Sequence, residues 1–405
     1  MHIDLNSCFA TVEQQANPLL RGKPIAVAAY TTSSGCILAA SIEAKKLGIK
    51  TGMRVRDGKA LCQHLFVLPP DPPKYRDVHL KLRNLLGQYT DNFHPKSIDE
   101  FVLNLEGYPA LRDKNMQDIA REIKRRIKTE IGDWLTVSIG IAPNRFLAKL
   151  GSNLQKPDGL EVVDKNNFLE VYKKVGLTDF HGINTRNAAR LNAVGIHTAI
   201  DFYESPIRKL KAAFNSILGY YFYVRLRGWE LDDVEFARRS YGNSYSIPED
   251  LITPQELSPI LAKLVTKTSA RLRSAGFKAQ GVHLSMSYKR GGGYWHHGKK
   301  TNRELFDTRD IYKEAFRILL KSPCKKPVAT MSVSCFNLSK RQDVQLELFE
   351  DVAKKENLTH AMDKINERWG SFVLTPGRMI QTEEAVPDRI AFGNVKELEE
   401  FTLRA

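Results

Sequence analysis

The spacing of apolar and polar residues divides the chain into strands and helices, and one predicted strand is unusual. In residues 96–105 apolar side chains occupy both alternating sets of positions, which is typical of a strand covered on both faces. Two adjacent carboxylates, Asp99 and Glu100, interrupt that pattern. Buried carboxylates persist when they are paired or bind a cation, so the two mark either a solvated strand end or a metal site. Both reach one site only if the strand begins or bends there.

Two further strands, predicted at residues 1–5 and 135–141, belong to the same domain. An amphipathic helix is predicted over residues 115–131, where apolar side chains recur at helical spacing. Strands that alternate with helices predict one α/β sheet domain. Asp4 lies near the end of the first strand, just before a helical run. We therefore expect Asp4 to converge with Asp99 and Glu100 on one edge of the sheet.

The rest of the chain divides into four segments. Residues 19–69 predict a small α/β unit, which ends at a rigid proline-rich connector over 69–73. Residues 164–232 predict helices, and residues 238–340 predict the order β-α-β-β-α-β, a small sheet with helices on one face. The tail, 341–405, contains a short apolar peptide that docks either in a partner's groove or on the protein's own core.

Two glycine turns in the helical segment resemble a helix-hairpin-helix, whose backbone amides grip a phosphate without reading bases. The turns contain Gly182 and Gly195. Asn184 stands where the motif usually has a second glycine. Asn tolerates the left-handed turn conformation better than most residues, so this departure weakens the motif but still allows it.

Charge points to a polyanionic partner. The formal charge is +15 with a pI of about 9.4. Residues 238–340 hold 19 Lys and Arg against 7 Asp and Glu, an excess of 12. A solubilising surface would spread the excess evenly, so nucleic acid is the favoured partner of this segment. No base-reading pattern is visible, and binding should depend on salt more than on sequence.

Several classes of protein are disfavoured. No apolar run reaches eighteen residues and no signal-peptide pattern opens the chain, so we expect a soluble intracellular protein without membrane contact. Five scattered cysteines form no C-x-x-C pair, which disfavours disulfides and zinc ribbons. No zinc-protease, deaminase or Ser/His/Asp pattern occurs, and we place His296 and His297 in a solvated glycine-rich loop.

The three carboxylates together with a basic surface indicate hard cations and phosphates. Magnesium prefers oxygen ligands, and two such ions can clamp an in-line displacement at phosphorus. Lys45 and Lys156 are candidates to neutralise a triphosphate. A basic helix-hairpin-helix binding protein would explain the charge but would leave the carboxylates unexplained.

Six separated sequence motifs occur along the chain, at residues 3–13, 22–24, 41–52, 97–100, 138–149 and 156–159. Their order is the one found in Y-family (translesion) DNA polymerases. Over about residues 1–350, the chain resembles bacterial polymerase-IV-like (DinB-type) members of that family.

The resemblance implies an α+β multidomain fold, the right-hand polymerase. Its parts would be a ferredoxin-like palm at 1–7 and 70–163, small fingers at 8–69, and a helical thumb with the helix-hairpin-helix at 164–232. A β-α-β-β-α-β little finger at 238–340 and a C-terminal extension at 341–405 would follow.

By resemblance, each candidate residue takes a role. Asp4, Asp99 and Glu100 would be catalytic and would bind two Mg²⁺ ions, or Mn²⁺ in their place, with the Leu5 carbonyl as a further ligand. Phe9 would be the steric gate that selects deoxynucleotides. The remaining roles are nucleotide binding by Ile42, Lys45 and Lys156; DNA binding by Gly182, Asn184, Gly195, Arg238, Arg239, Lys289 and Arg290; and sliding-clamp binding by Gln345, Leu346, Leu348 and Phe349.

The implied activity is template-directed, low-fidelity extension of a primer past damaged bases with dNTPs. No exonuclease-like segment is apparent, so proofreading should be absent. The protein would be a monomer on primer–template DNA in the bacterial cytoplasm, associated with the nucleoid. Two alternatives remain open: a catalytically silent clamp-bound scaffold, and a nucleotidyltransferase restricted to one preferred base.

One departure from the family pattern predicts weaker nucleotide binding. The family usually has Tyr where this chain has Ile42, and Ile42 cannot donate a hydroxyl hydrogen bond to a phosphate. The Ile42→Tyr variant should therefore show a lower nucleotide KM than the parent, by about tenfold for one hydrogen bond to a charged group. Steady-state incorporation kinetics measure this, and an unchanged KM would reject the idea.

Overall fold

Two compact units divide the chain, one containing the described residues up to 231 and the other those from 238 to 386. The computed structural model describes residues 1–112, 114–231, 238–323, 326–340, 352–370, 372–380, 382 and 385–386. Within these residues, no helix combines the length and apolar character needed to cross a membrane.

The described residues form strands and helices that alternate along most of the chain. The strands are β1 His2–Leu5, β2 Ile25–Ala28, β3 Ile37–Ala40, β4 Phe66–Leu68, β5 Phe93–Pro95, β6 Glu100–Leu103, β7 Val137–Ile141, β8 Leu160–Val162, β9 Ser240–Ser246, β10 Phe277–Tyr288, β11 Tyr294–Leu305 and β12 Val328–Lys340. The helices are α1 Cys8–Ala16, α2 Ile42–Lys46, α3 Val55–Leu61, α4 Pro72–Leu86, α5 Met116–Arg126, α6 Arg145–Leu154, α7 Phe168–Lys174, α8 Thr185–Asn192, α9 Ala199–Glu204, α10 Ile207–Phe214, α11 Leu218–Arg225, α12 Pro254–Ser274, α13 Thr308–Leu319 and α14 Val352–Trp369.

A five-stranded sheet with the order β5-β6-β1-β7-β8 forms the centre of the first unit. Its middle strand, β1, pairs antiparallel with β6 and with β7. All four residues of β1 are buried, including the polar His2 and Asp4, so these two side chains need partners inside the protein. The predicted strands at residues 1–5, 98–105 and 135–141 are thus neighbours in one sheet. Helices α1, α4 and α5 contribute to the same hydrophobic core.

Two smaller layers complete the first unit. Strands β2, β3 and β4 form a three-stranded sheet that packs with α2 and α3 around a small core of its own. Helices α7 to α11 follow the central sheet and enclose an aromatic-rich core, which also receives apolar side chains of α6.

The second unit is a four-stranded antiparallel sheet with the order β11-β10-β12-β9. Along the chain its elements follow the order β9, α12, β10, β11, α13, β12. Val282, Leu284 and Met286 of β10 are buried in one core with apolar residues of α12 and α13. Both helices therefore cover the same face of the sheet, because alternate residues of a strand point to the same side.

Three local expectations are wrong. Pro72 and Pro73 begin α4 instead of extending a connector, because a helix's first turn needs no donated N–H and Asp71 caps it. Asn184 has φ −89° and caps α8, and the left-handed conformation falls on Gly182 instead. His296 and His297 lie within β11, because the glycine turn before them closes a hairpin.

The C-terminal segment packs on the helical face of the second unit. Arg273 of α12, 9% exposed, donates to both carboxylate oxygens of Asp363 on α14 at 2.7 Å. Lys263 is also buried, and its ammonium donates to the Thr382 carbonyl. Buried cations need such partners, so the sequence of α12 requires the segment that covers it.

Removing one of these partners should destabilise the second unit. The Asp363→Ala variant leaves the Arg273 guanidinium without its carboxylate, and we expect the unit to lose about 2–3 kcal/mol of stability. Hydrogen–deuterium exchange of the full chain, read by mass spectrometry on α12 and β10, measures this loss as faster exchange. The matched control is Lys364→Ala, at an exposed neighbouring position. Equal exchange in the two variants would contradict the prediction.

Candidate active site

The pairing of β1 with β6 brings two of the predicted carboxylates together. Asp4 stands opposite Glu100 in the antiparallel register. The Leu5 amide donates to the Asp99 carbonyl at 2.9 Å, so Asp99 lies just outside the strand that Glu100 begins. Because β6 begins at Glu100, the neighbouring residues Asp99 and Glu100 can both serve one site, as predicted for a strand that begins there.

Two lysines compensate the charge of these carboxylates. Lys149 Nζ lies 2.6 Å from Asp4 Oδ2 and 2.8 Å from Glu100 Oε1. Lys156 Nζ lies 2.8 Å from the same oxygen of Asp4. With Asp4 only 5% exposed, such pairing is what makes a buried carboxylate tolerable.

Glycines position the helix that carries Lys149. A Cβ atom on Gly140 of β7 would lie 2.0 Å from the Ala148 carbonyl oxygen, and a Cβ on Gly151 would lie 3.3 Å from the Gly140 Cα. Helix α6 therefore approaches the sheet backbone more closely than any side chain would permit. Asn144 caps its first turn, with the Leu147 amide donating to the side chain at 2.8 Å.

The carboxylates have different environments. Burial would raise the pKa of Glu100, but the His2 ring, 3.6 Å away, and the Lys149 ammonium outweigh it and lower the pKa to about 2. Burial raises the pKa of Asp99, and the charges of Asp4 and Glu100 add to this against a hydrogen bond from Ser97. Burial would lower the pKa of Lys149, but Asp4 and Glu100 raise it overall.

The donor set suits a divalent cation. Ligand atoms of His2, Asp4 and Glu100 lie within 4.8 Å of one another, the one such cluster among the residues that the structure describes. Asp99 lines the same cavity. Carboxylate oxygens are the ligands that Mg²⁺ prefers, and the lysine ammonium groups now hold the positive charge that bound cations would bring.

A cavity of about 630 Å³ opens beside the carboxylates. Its volume lies within the range of pockets that bind small ligands. The predicted residues that line it are Asp4, Leu5, Phe9, Ile42, Lys45, Asp99, Glu100 and Lys156. Residues far apart in the sequence therefore meet in one place, on the side of the first unit where β1 and β6 meet α2 and α6.

Phe9 has a rigid support. Its ring stacks on Tyr75 with centroids 4.1 Å apart and planes inclined by 8°. The Tyr75 hydroxyl donates to Glu13 at 2.8 Å, and Lys74 donates to the other oxygen of Glu13 at 2.7 Å. Burial raises the pKa of Tyr75, which keeps this hydroxyl a donor. The Phe9 ring is thereby held in one orientation.

Asn6 holds the segment that carries Lys156. Its side chain donates to Ser138 Oγ at 2.9 Å and accepts from the Asp158 amide at 2.8 Å. Lys45 faces Lys156 across the cavity, and burial together with that second cation lowers its pKa. Two cations thus line the cavity beside the carboxylates.

Comparison with known proteins identifies the family. Two models of the impB/mucB/samB family match, one over residues 3–153 and that of its C-terminal domain over residues 238–348. DNA polymerase IV 1 of Bacillus subtilis is 31% identical over 396 residues, covering 95% of this chain and 94% of that protein. DNA polymerase IV of Moorella thermoacetica is 32% identical over 379 residues, covering 92% and 93%.

This chain is a Y-family DNA polymerase of the DinB type. The family resemblance of its motifs is therefore confirmed. The fold agrees, since a solved Y-family polymerase chimera of Dbh and Dpo4 superposes with a TM-score of 0.72 over 83% of this chain and 98% of that one, at 24% identity. An insertion ternary complex of Dbh DNA polymerase superposes with a TM-score of 0.57 over the same shares.

The residues predicted to contact DNA differ in how many of their hydrogen-bond donors are already used within the protein. Gly182 and Gly195 both adopt positive φ, but the Gly195 amide already donates to the Asn192 carbonyl at 2.9 Å. Lys289 donates to the Pro248 and Glu249 carbonyls, each at 2.7 Å, and to Asp250 at 2.9 Å. All three of its ammonium hydrogens are thereby engaged within the protein.

The arginines are more accessible. Arg290 has a side chain 82% exposed and lies 3.4 Å from Asp250. Arg238 stacks over the Tyr241 ring at 4.0 Å, and Arg239 is exposed. The peptide of Gln345, Leu346, Leu348 and Phe349 lies outside the described residues, and its role stays a prediction.

Three residues of the site had no role assigned from the sequence: His2, Asn6 and Lys149. Lys149 lay at the end of the recognised motif at residues 138–149. Its partners Asp4 and Glu100 are 145 and 49 residues away. No local pattern reveals such a pairing, because it depends on the register of β1 with β6 and on the approach of α6.

Lys149 should matter most when no divalent cation is bound. In the Lys149→Met variant, the buried Asp4 and the partly buried Glu100 have less positive charge beside them, and we expect a loss of about 3 kcal/mol in the free energy of unfolding in EDTA. Added Mg²⁺ should recover more stability in the variant than in the parent. Urea unfolding under both conditions measures the difference.

The control for that experiment is Lys128→Met, which breaks a partly exposed pair with Asp158. We expect it to cost less than about 1 kcal/mol with or without Mg²⁺. A Lys149→Met loss of the same size in EDTA and in Mg²⁺ would show that the lysine does not balance the cation site.

Proposed function

We propose that the polymerase extends a primer along a damaged template with low fidelity and without proofreading. The observation that carries this proposal is the convergence of Asp4, Asp99, Glu100, Lys45 and Lys156 on one cavity. Carboxylates beside cations are what a nucleotidyl transfer needs, because the substrate brings both a divalent cation and a triphosphate. The names of the bacterial relatives support the same activity.

Asp4, Asp99 and Glu100, with the Leu5 carbonyl, would hold two Mg²⁺ ions, and Mn²⁺ is an alternative occupant. Bound ions would stabilise the charge that develops when the primer 3′-hydroxyl attacks the α-phosphate and pyrophosphate leaves. The low pKa of Glu100 keeps this ligand ionised throughout the neutral range. His2, within reach of Glu100, helps to orient that carboxylate.

The cavity residues would select and orient the nucleotide. Lys156, with its side chain 37% exposed, is available to a triphosphate once a cation takes its place beside Asp4. Lys45 would act with it. Phe9, held on Tyr75, would leave no room for a ribose 2′-hydroxyl. Ile42 lines the same wall but offers no hydrogen bond, so the phosphates would depend on the two lysines.

The units of the fold would correspond to the usual domains of polymerases in this family. The five-stranded sheet would be the palm, at 1–7 and 70–163, and the three-stranded sheet would belong to the fingers, at 8–69. Helices α7 to α11 would form the thumb, at 164–232, and the second unit would contain the little finger, at 238–340. Residues 341–405 would be a C-terminal extension.

Primer–template DNA and dNTPs would be the substrates, in keeping with the excess positive charge of residues 238–340. A sliding clamp would bind Gln345, Leu346, Leu348 and Phe349. We further propose that the enzyme acts as a monomer on the chromosome in the bacterial cytoplasm, since its relatives are bacterial.

Primer extension tests the activity and its site together. The parent should extend a primer on an undamaged template with Mg²⁺ and all four dNTPs, whereas Asp99→Ala/Glu100→Ala should reduce the rate by at least about a thousandfold. A template with a damaged base then tests bypass. Primer–template binding of both proteins, measured in parallel, separates lost chemistry from lost binding.

Other outcomes would favour the alternatives. If the parent bound primer–template but added no nucleotide with Mg²⁺ or Mn²⁺, a clamp-bound scaffold would replace the polymerase as its function. If assays with each nucleotide singly showed one preferred base on every template, the enzyme would be a restricted nucleotidyltransferase.

A further inference from the structure

The sheet of the second unit has one face opposite α12 and α13, which we call the open face. Hydroxyl residues follow one another across its strands: in the register, Ser244 of β9 stands opposite Ser332 of β12, which stands opposite Ser285 of β10. The next residue in that row, on β11, is His296. The centre of the open face is therefore polar but carries little permanent charge.

Two histidines contact each other on this face. His283 Nε2 lies 3.2 Å from His296 Nδ1, within hydrogen-bond distance, and the ring centroids are 5.4 Å apart. In the neutral pair one ring donates its N–H across this contact, and one of the two outer nitrogens carries the second proton. His283 Nδ1 and His296 Nε2 are not used by that contact. Tyr294, 64% exposed, lies beside His296 with ring centroids 5.4 Å apart.

Glycines leave room for the rings on the sheet surface. A Cβ on Gly298 would lie 3.2 Å from the His283 ring, and a Cβ on Gly281 would lie 2.5 Å from the Phe336 ring. These rings therefore lie close against the backbone of the neighbouring strand. The result is a shallow surface on which an extended polymer can rest.

The charged and titratable surroundings of the pair are few. From β11 they are Tyr294 and Lys300 on the open face and His297 on the opposite one. From β12, His283 faces Ser334 and its neighbours Ser332 and Phe336, none of which is charged. Burial lowers the pKa of His283, and His296 and His297 lower it further. No carboxylate stands among the described residues paired with His283 or His296.

We propose that His283 and His296 form a binding site for one DNA phosphate and take up one proton from solvent when they bind it. A phosphodiester brought against the pair favours the imidazolium form, because an opposite charge stabilises it. The pair passes from neutral to a single positive charge, and its outward N–H groups donate to the phosphate oxygens. This site rests on the proposed binding of DNA by residues 238–340.

The proton gives the proposal a measurable signature. Binding that takes up one proton strengthens as pH falls, by up to about tenfold in Kd for each pH unit. One added phosphate contact also steepens the dependence of log Kd on log salt by about 0.9. Both effects should grow as the pH falls from about 8 to about 6, because the negative phosphate favours the protonated pair in the complex over the neutral pair in the free protein.

The experiment uses the full chain and a labelled primer–template. Kd is measured by fluorescence anisotropy at several salt concentrations near pH 6 and pH 8, and proton uptake is measured by calorimetry in two buffers of different ionisation enthalpy. The parent should take up roughly one proton more than His283→Gln/His296→Gln, and only the parent should show the steeper salt slope near pH 6. His297→Gln, on the same strand but the opposite face, is the control and should behave as the parent does.

Equal proton uptake by the parent and the double variant, with normal DNA binding in both, would overturn the histidine site and leave the proposed polymerase intact. Loss of the uptake in His297→Gln as well would also overturn it, since the effect would not belong to the open face. A parent that failed to bind primer–template at every pH would overturn both proposals.

Discussion

The charge balance around Asp4 is the constraint on which the rest of the first unit depends. This carboxylate lies on the middle strand of a sheet and is almost fully buried, so it persists only beside cations. Lys149 and Lys156 supply them, one from a helix pressed on the sheet and one from the segment that follows it. Three features keep these groups together: the short β1, the glycines at the helix–sheet contact, and the hydrogen bonds of Asn6.

The same arrangement gives the site its capacity to react. In the proposed function, positive charge that the protein holds on lysines would be exchanged for positive charge that a substrate brings. A nucleotide would bring cations for the carboxylates and phosphates for the released lysines. Phe9 and Ile42, two of the large apolar side chains that line the cavity, would have a separate role in the proposed function, since shape rather than charge discriminates a sugar.

In the second unit, the two faces of the sheet differ in the charges that they carry. Its helical face buries cations such as Lys263 and Arg273. In the C-terminal segment, the Thr382 carbonyl accepts a hydrogen bond from Lys263, and the Asp363 carboxylate neutralises Arg273. Its open face keeps hydroxyl and imidazole groups instead of permanent charges. Such a surface suits a polyanion that must move across it, because hydroxyl groups contact phosphates without holding them strongly.

Local pattern in the sequence was enough to predict the strand that carries Asp4, the strand that Asp99 and Glu100 interrupt, the amphipathic helix before β7 and the concentration of charge in residues 238–340. These depend on period and composition, which neighbouring residues record. The sequence alone did not predict the link between Lys149 and Asp4, the position of His296 on a strand, or the cover that α14 provides for Arg273. Each of these depends on which strands pair and which faces meet, and contacts between residues so far apart leave no periodic trace in the chain.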